Sequence, residues 1–234
     1  MIKRFFRQEG AKLKEMNFTE KRQYIWEYYK LHIIASLILL VFAGSIINNR
    51  FINPPMREYL YVVWQAYHVM PDRLDSLSEN LSVIVEDPDR YAVFVHSYVL
   101  SGEPQMDQAL FTRFSGLLSL GQLHIIISSR DETEGNAMGR IIKPVHDFVA
   151  YFGEQNPELK EEIEGRVTIF TFTDTSVQGD TEVTDAMAIS LAGAPLLEEL
   201  GFFTEDLYLN VVINAYNYYE IAKALTVMFQ GGGI

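Results

Sequence analysis

The longest apolar segment of the chain runs from Leu31 to Ile47 and contains no formally charged residue. A helix of this length is about 26 Å long, close to the roughly 30 Å hydrocarbon core of a bilayer. Lys30 and the aromatic residues just before it suit the adjoining headgroup layer, where long cationic side chains and aromatic rings are enriched. The pattern predicts one transmembrane helix over residues 31–49.

A cleaved signal peptide is the alternative interpretation of this segment. Val41, Phe42 and Ala43 precede Gly44 in a sequence that resembles a small-residue cleavage site. However, the thirty residues before the apolar run exceed the usual charged region of a signal peptide, and the run itself is long. We therefore expect an uncleaved anchor.

Residues 1–30 are predicted to form an amphipathic helical segment. Asn17 and Glu20 have the spacing of a capping box, and no Pro or Gly follows before Gly44. Intervals of seven, four and three residues place several aromatic and apolar side chains on one helix face, expected to contact lipid or a partner helix. The residues predicted for this contact are Phe18, Ile25, Trp26, Tyr28, Tyr29 and His32.

Charge is distributed unevenly on the two sides of the apolar run. Eight Lys and Arg accompany four Glu before it, whereas eleven Lys and Arg accompany twenty-seven acidic residues after it. Basic flanks remain on the cytoplasmic side, so we expect a single-pass protein of the cell membrane with an extracellular C-terminal domain. A domain this acidic is not expected to bind nucleic acid, whose phosphates are contacted mainly by Lys and Arg.

After a linker at 50–58 that contains Pro54 and Pro55, short apolar runs alternate with amphipathic ones. This alternation predicts an extracellular mixed-sheet α/β domain over 59–230, followed by a flexible tail at 231–234. The predicted strands are 60–66, 91–100, 123–127, 167–172 and 207–213. The predicted helices are 73–85, 104–120, 145–152, 194–200 and 218–229. The segments 128–138 and 173–185 are predicted to be loops.

The residues with catalytic potential do not form a recognisable pattern. The chain has no Cys, which excludes disulfides and thiolate chemistry, and its histidines lack metal-ligand spacing. His124 lies within a strand pattern and is expected to be a hydrogen-bonded core residue. We predict a protein that is not an enzyme and uses no cofactor or metal. Asp174, Asp180, Glu182 and Asp185 lack the order of a calcium-binding loop and are expected to be solvated.

Polar and aromatic residues follow several predicted strands and raise the question of a ligand site. In open α/β sheets, ligands lie beyond the carboxyl ends of the strands, where strand order reverses. Core packing or a partner surface explains the same aromatic residues without a ligand. The residues selected by the ligand hypothesis are Tyr67, Ser128, Ser129, Asn214 and Tyr216.

Two stretches resemble an uncharacterised family of membrane-anchored proteins from Gram-positive bacteria. They are KRQYIWEYYKLHIIASLILLVF at 21–42 and APLLEELGFFTEDLYLNVVINAYNYYEIAKALTVMF at 194–229. The resemblance implies an outer domain similar to part of an extracellular solute-binding protein. We therefore expect an accessory subunit that binds or regulates another membrane complex, such as a transporter. The alternatives are a membrane-tethered solute-binding protein and a sensor.

Overall fold

The computed structural model describes residues 16–52, 55–174 and 181–231, which belong to two compact units. The first unit ends at Pro55 and the second begins at Met56. Within the first, helix α1 spans Phe18–Ile47 and continues as a π-helical turn over Asn48–Ile52. The described part of the predicted cytoplasmic helix and the predicted span therefore belong to one continuous helix.

Some predicted segments lie wholly or partly outside the described residues. They are the first fifteen residues of the predicted amphipathic segment, residues 53–54 of the linker, residues 175–180 of the predicted loop 173–185, and residues 232–234 of the predicted tail.

The start of α1 confirms the predicted capping box. The Glu20 amide donates to Asn17 Oδ1 over 3.0 Å, and the Asn17 amide donates to Glu20 Oε2 over 2.9 Å. No residue of α1 is buried. Within the helix Phe18–Arg50, an 18-residue window has a mean hydropathy of 2.2, so by length and composition this helix can cross a membrane.

The second unit is built on a six-stranded mixed sheet with the order β2-β1-β3-β6-β5-β4. Strands β1, β2 and β3 are parallel, whereas β6, β5 and β4 are joined to β3 and to one another in antiparallel pairs. The strands are β1 Arg57–Trp64, β2 Tyr91–Ser97, β3 Ile125–Ser128, β4 Val167–Asp174, β5 Thr181–Ser190 and β6 Tyr208–Val211.

Seven further described α-helices connect or cover these strands. They are α2 Pro71–Leu81, α3 Pro104–Ser119, α4 Arg130–Met138, α5 His146–Gln155, α6 Lys160–Gly165, α7 Pro195–Glu199 and α8 Tyr218–Gln230. The central strands carry the core: Leu60, Val62 and Trp64 of β1 and all of β3 are fully buried. Parallel strands covered on both faces have continuous apolar sequences of this kind.

Two predicted loops are wrong in most of their described residues. The segment 128–138 contains helix α4, which begins after Ser129, whose hydroxyl accepts from the Glu132 amide over 3.4 Å. The segment 173–185 contains the first half of β5, which pairs with β4 from Thr181 to Ile189. Cross-strand contacts stabilise this polar half of β5, for example the 2.9 Å hydrogen bond between the Thr171 and Thr184 hydroxyls. Such contacts do not require the apolar periodicity by which a strand is recognised in a sequence.

The acidic residues of that second segment do not form one solvated loop. Asp180 lies outside the described residues, and Glu182 and Asp185 are strand residues. His146 Nε2 lies 2.9 Å from Asp185 Oδ1, which also accepts from the Ala186 amide. Within the described ranges, no group of three or more His, Asp or Glu residues is placed to hold a metal ion.

His124 is a buried core histidine, as predicted. Its Nδ1 accepts from the Tyr61 amide over 3.1 Å, and its own amide donates to the Tyr61 carbonyl. Burial lowers the pKa of His124, although the nearby Glu58 carboxylate opposes the shift. The neutral ring of His124, the residue directly before β3, thus hydrogen-bonds to β1. The regular pairing of the two strands begins next to it, at Val62 and Ile125.

Candidate functional site

The carboxyl ends of β1 and β3 meet at one edge of the sheet, called here the carboxyl edge. Strand β2 lies on one side of β1 and strand β3 on the other, so the chain leaves β1 in one direction across the sheet and later returns past it in the opposite direction. Connections that diverge in this way leave a crevice between the strand ends. Tyr67 follows β1 at this edge, and Ser129 follows β3.

A cavity of about 590 Å³ lies at the carboxyl edge. Helix α7 and the connection from it to β6 supply most of its lining, and the ends of β1 and β3 supply the rest. The lining residues are Ala66, Tyr67, Ser129, Glu198, Phe202, Phe203, Thr204, Glu205 and Asp206.

Tyr67 fastens the α7–β6 connection to the end of β1. Its hydroxyl accepts from the Phe203 amide over 2.7 Å and donates to the Phe203 carbonyl over 3.1 Å. Burial raises the pKa of Tyr67, although the hydrogen bond from the Phe203 amide opposes the shift. Since the hydroxyl is already engaged, the aromatic ring is the part of Tyr67 that can meet a ligand.

Gly201 makes the turn that brings this connection to the cavity. Its φ of +76° ends α7 in a left-handed conformation that side chains disfavour, and the Phe202 amide then donates back to the Leu197 carbonyl over 2.9 Å. Arg73 of α2 donates to the Gly201 carbonyl. The end of the helix predicted over 194–200 is confirmed to within one residue.

Trp64 lies behind the cavity wall and packs against two lining residues. Its ring centroid lies 4.7 Å from that of Phe202 and 5.3 Å from that of Tyr67. Trp64 Nε1 also donates to the Tyr67 carbonyl over 2.9 Å. The fully buried indole therefore holds both Tyr67 and Phe202 in place.

Three carboxylates and two exposed or partly exposed aromatic rings give the cavity its chemical character. Glu198, Glu205 and Asp206 are exposed, and Glu198 Oε1 accepts from the Thr204 hydroxyl over 3.2 Å. Carboxylates pair with cations, and aromatic faces attract them through the ring quadrupole. The cavity is thus suited to an organic cation and unsuited to an anion.

Ser128 does not reach the cavity, contrary to the sequence prediction. It is fully buried, and its hydroxyl lies 2.8 Å from that of Thr133 and accepts from Asn210 Nδ2 over 2.7 Å. Asn210 Nδ2 also donates to the Ile126 carbonyl over 3.1 Å. These hydrogen bonds satisfy the buried Ser128 hydroxyl and connect β3 to α4 and β6. The sequence did not reveal this role, because Thr133 and Asn210 become neighbours of Ser128 only in the folded structure.

Asn214 and Tyr216 lie at the opposite edge, so the prediction that all five candidate residues meet is wrong. Strand β6 is antiparallel to β3, and its end therefore lies beside the start of β3. Asn214 Nδ2 donates to the Leu118 carbonyl over 3.3 Å, and Lys143 Nζ lies 5.6 Å from the Tyr216 ring centroid. Tyr67 and Ser129 remain the predicted residues that the structure brings to one cavity.

The predicted contact residues of α1 all lie in the first half of that helix, and none is buried. The Tyr29 and His32 ring centroids are 6.2 Å apart. Tyr24, which the sequence prediction omitted, joins this cluster with its ring 4.7 Å from Tyr28 and 6.3 Å from Tyr29. Its spacing of four and five residues from those tyrosines is the signal that could have identified it.

Comparisons with protein-family models, with curated proteins and with solved structures found no significant match.

Proposed function

We propose that this protein is a single-pass membrane-anchored accessory subunit whose α/β domain lies outside the cell and whose anchor helix contacts another membrane protein. The observation that carries the proposal is helix α1, a long apolar helix without a single buried residue. In a water-soluble protein such a helix would expose an apolar surface far larger than monomers tolerate.

The charge asymmetry supports the orientation within this proposal. Basic residues concentrate before the apolar run, and acidic residues dominate after it. Basic flanks are retained in the cytoplasm, which leaves the acidic α/β domain on the extracellular side of the cell membrane. The stretches at 21–42 and 194–229 support the further proposal of kinship with Gram-positive membrane-anchored proteins whose outer domains resemble part of a solute-binding protein.

The two sides of the first half of α1 differ in chemistry. Ile25 and Tyr29 share one side of the helix with Phe18 and His32. On the opposite side, Gln23 Nε2 donates to Glu27 Oε1 over 3.0 Å. A partner helix that buries the apolar side would leave this polar pair exposed.

Site-specific photo-crosslinking in intact membranes tests the partner contact. A benzophenone side chain placed at Ile25 or Tyr29 should form protein crosslinks, and one placed at Gln23 or Glu27 should form few or none. The same crosslinked species should appear at both apolar positions. Lipid-only labelling at Ile25 and Tyr29, or equal crosslinking on both sides, would contradict a partner helix on this face.

A second candidate function, a membrane-tethered solute binder, is favoured by the cavity at the carboxyl edge. Its volume of about 590 Å³ suits a small molecule, and Glu198, Glu205 and Asp206 favour a cationic one. The position of Trp64 behind Tyr67 and Phe202 provides a reporter for this hypothesis.

Titration with spermidine, a soluble organic polycation, tests the second candidate. In a Trp26→Phe background, Trp64 is the one remaining tryptophan, and its emission should change saturably as the cation binds. Glu205→Gln combined with Asp206→Asn should weaken binding about tenfold, because roughly 1.4 kcal/mol of charge interaction is lost. A signal that does not saturate, or that the double variant leaves unchanged, would count against solute binding.

A further inference from the structure

The edge of the sheet opposite the cavity, called here the amino edge, is where β1 begins and β6 ends. Side-chain hydrogen bonds connect several loops to one another at this edge. Gln122 Nε2 donates to Glu58 Oε1 over 2.8 Å, which fastens the loop after α3 to the start of β1. Asn214 donates to the Leu118 carbonyl, which joins the loop after β6 to the same place.

Lys143 adds the loop after α4 to this edge and brings a cation to its aromatic rings. Its amine donates to the Ala215 carbonyl. The same amine lies over the rings of both Tyr216 and Tyr218, at 5.6 and 4.7 Å from their centroids. Tyrosine rings next to a lysine amine are a combination typical of the bilayer interface.

The tips of these loops expose large apolar side chains. Leu120 is 73% exposed, Tyr216 is 83% exposed and Ile213 is 42% exposed. Met56, directly before β1, is 56% exposed. The amino edge therefore presents apolar and aromatic groups from separate loops on one side of the domain.

The chain itself keeps the start of β1 near any membrane that α1 crosses. Only residues 53–56 lie between the π-helical turn, which ends at Ile52, and Arg57 at the start of β1. A connection of that length reaches at most roughly 18 Å even when fully extended. Chain length alone therefore limits the distance between Arg57 and the end of the anchor helix at Ile52.

The distribution of charge around β1, β2, β3 and β6 favours the amino edge over the carboxyl edge as the one that approaches an anionic bilayer. At the amino edge of these strands, five basic residues accompany seven acidic ones: Arg57, Arg90, Arg140, Lys143 and Lys223, with Glu58, Glu86, Asp87, Asp89, Asp147, Asp185 and Glu220. At their carboxyl edge, nine acidic residues accompany two basic ones: Asp72, Glu103, Asp107, Asp131, Glu132, Glu198, Glu199, Glu205 and Asp206, with Arg73 and Arg130.

An exposed apolar side chain alone does not distinguish the edges, because Phe203 at the carboxyl edge is 79% exposed. The carboxylates around Phe203 are what differ. Anionic lipids repel them within about a Debye length, roughly 8–10 Å at ordinary salt. The same repulsion is weaker at the amino edge, where basic and acidic residues are closer in number.

We propose that the amino edge of the α/β domain rests on the outer surface of the bilayer and that Leu120, Ile213 and Tyr216 enter its interfacial layer. The inference rests on the membrane anchor of the proposed function. Lipid contact would hold the carboxyl edge, with its cavity and its acidic residues, away from the membrane and open to the surroundings.

Depth measurements on the full chain test this arrangement. Because the chain has no native cysteine, Leu120→Cys and Tyr216→Cys can each carry one environment-sensitive nitrobenzoxadiazole label. The protein is reconstituted into phosphatidylcholine–phosphatidylglycerol vesicles that contain lipids spin-labelled near the headgroup. Phe203→Cys is the matched control, similarly exposed and apolar but on the other edge. Leu37→Cys, within α1, reports the anchor independently.

We expect the spin-labelled lipids to quench the labels at positions 120 and 216 at least twofold more than the label at position 203. Strong quenching at position 37, with no difference among the three domain positions, would overturn the inference and leave the anchor intact. Absence of quenching at position 37 would instead overturn the anchor, and this inference with it.

Discussion

Replacing both Leu37 and Leu40 with arginine should release the protein from the membrane. Both side chains belong to the apolar part of α1 and neither is buried by the rest of the protein. An arginine near the centre of a span costs about 2.5–3.5 kcal/mol on insertion scales, so the pair costs roughly 5–7 kcal/mol. That cost is large enough to convert an inserted helix into one that is mostly not inserted.

Flotation of alkali-washed membranes on a density gradient measures this effect and separates inserted protein from aggregates. The double replacement Leu37→Ala and Leu40→Ala is the matched control, since it removes the same side chains without adding charge, and it should remain in the floating fraction. If the double-arginine variant floats with the membranes as the unmodified protein does, α1 is not the anchor.

Replacing Trp64 with alanine should lower the free energy of unfolding of the α/β domain by about 3–5 kcal/mol. The indole is fully buried, contacts Tyr67 and Phe202, and donates to the Tyr67 carbonyl. Its removal leaves a cavity and deletes the contact of β1 with Phe202 of the α7–β6 connection. The midpoint of thermal unfolding should fall by roughly 6–20 °C, the shift expected for a domain of this size.

Calorimetry of the full chain in detergent measures this loss, and the sequence supplies its own control. Trp26 is the other tryptophan, and it is exposed on α1. Trp26→Ala should change the unfolding of the α/β domain by less than about 0.5 kcal/mol. A Trp64→Ala variant as stable as Trp26→Ala would show that the indole does not support the cavity wall.

Local patterns in the sequence predict most helices and strands, because each depends on interactions within a few residues. The capping box at Asn17 and the helix stop at Gly201 are formed by neighbours in the chain. Strand β1 is recognisable from a run of apolar residues, which are buried in the structure. Local patterns do not predict helix α4 and strand β5, because their sequences are polar. These segments adopt regular structure only through contacts with β3, β4 and β6.

The candidate site is only half predictable for the same reason. Tyr67 and Ser129 are identifiable because they come directly after strands that are parallel in the structure. Asn214 and Tyr216 are predicted at the same edge, but the antiparallel direction of β6 carries them to the other one. Phe202, Phe203 and the carboxylates of the α7–β6 connection escape prediction, because only tertiary contacts with Tyr67 bring that connection to the end of β1.

The apolar helix, the charge asymmetry around it and the α/β character of the domain after it depend on composition and on near neighbours. The amino-acid sequence was therefore sufficient to predict them. Strand direction, and thus which loops share an edge, required the folded structure, because the hydrogen bonds that set direction join residues far apart in the chain. Strand direction is also what separates a strongly acidic edge with a cavity from a less acidic edge with exposed apolar tips.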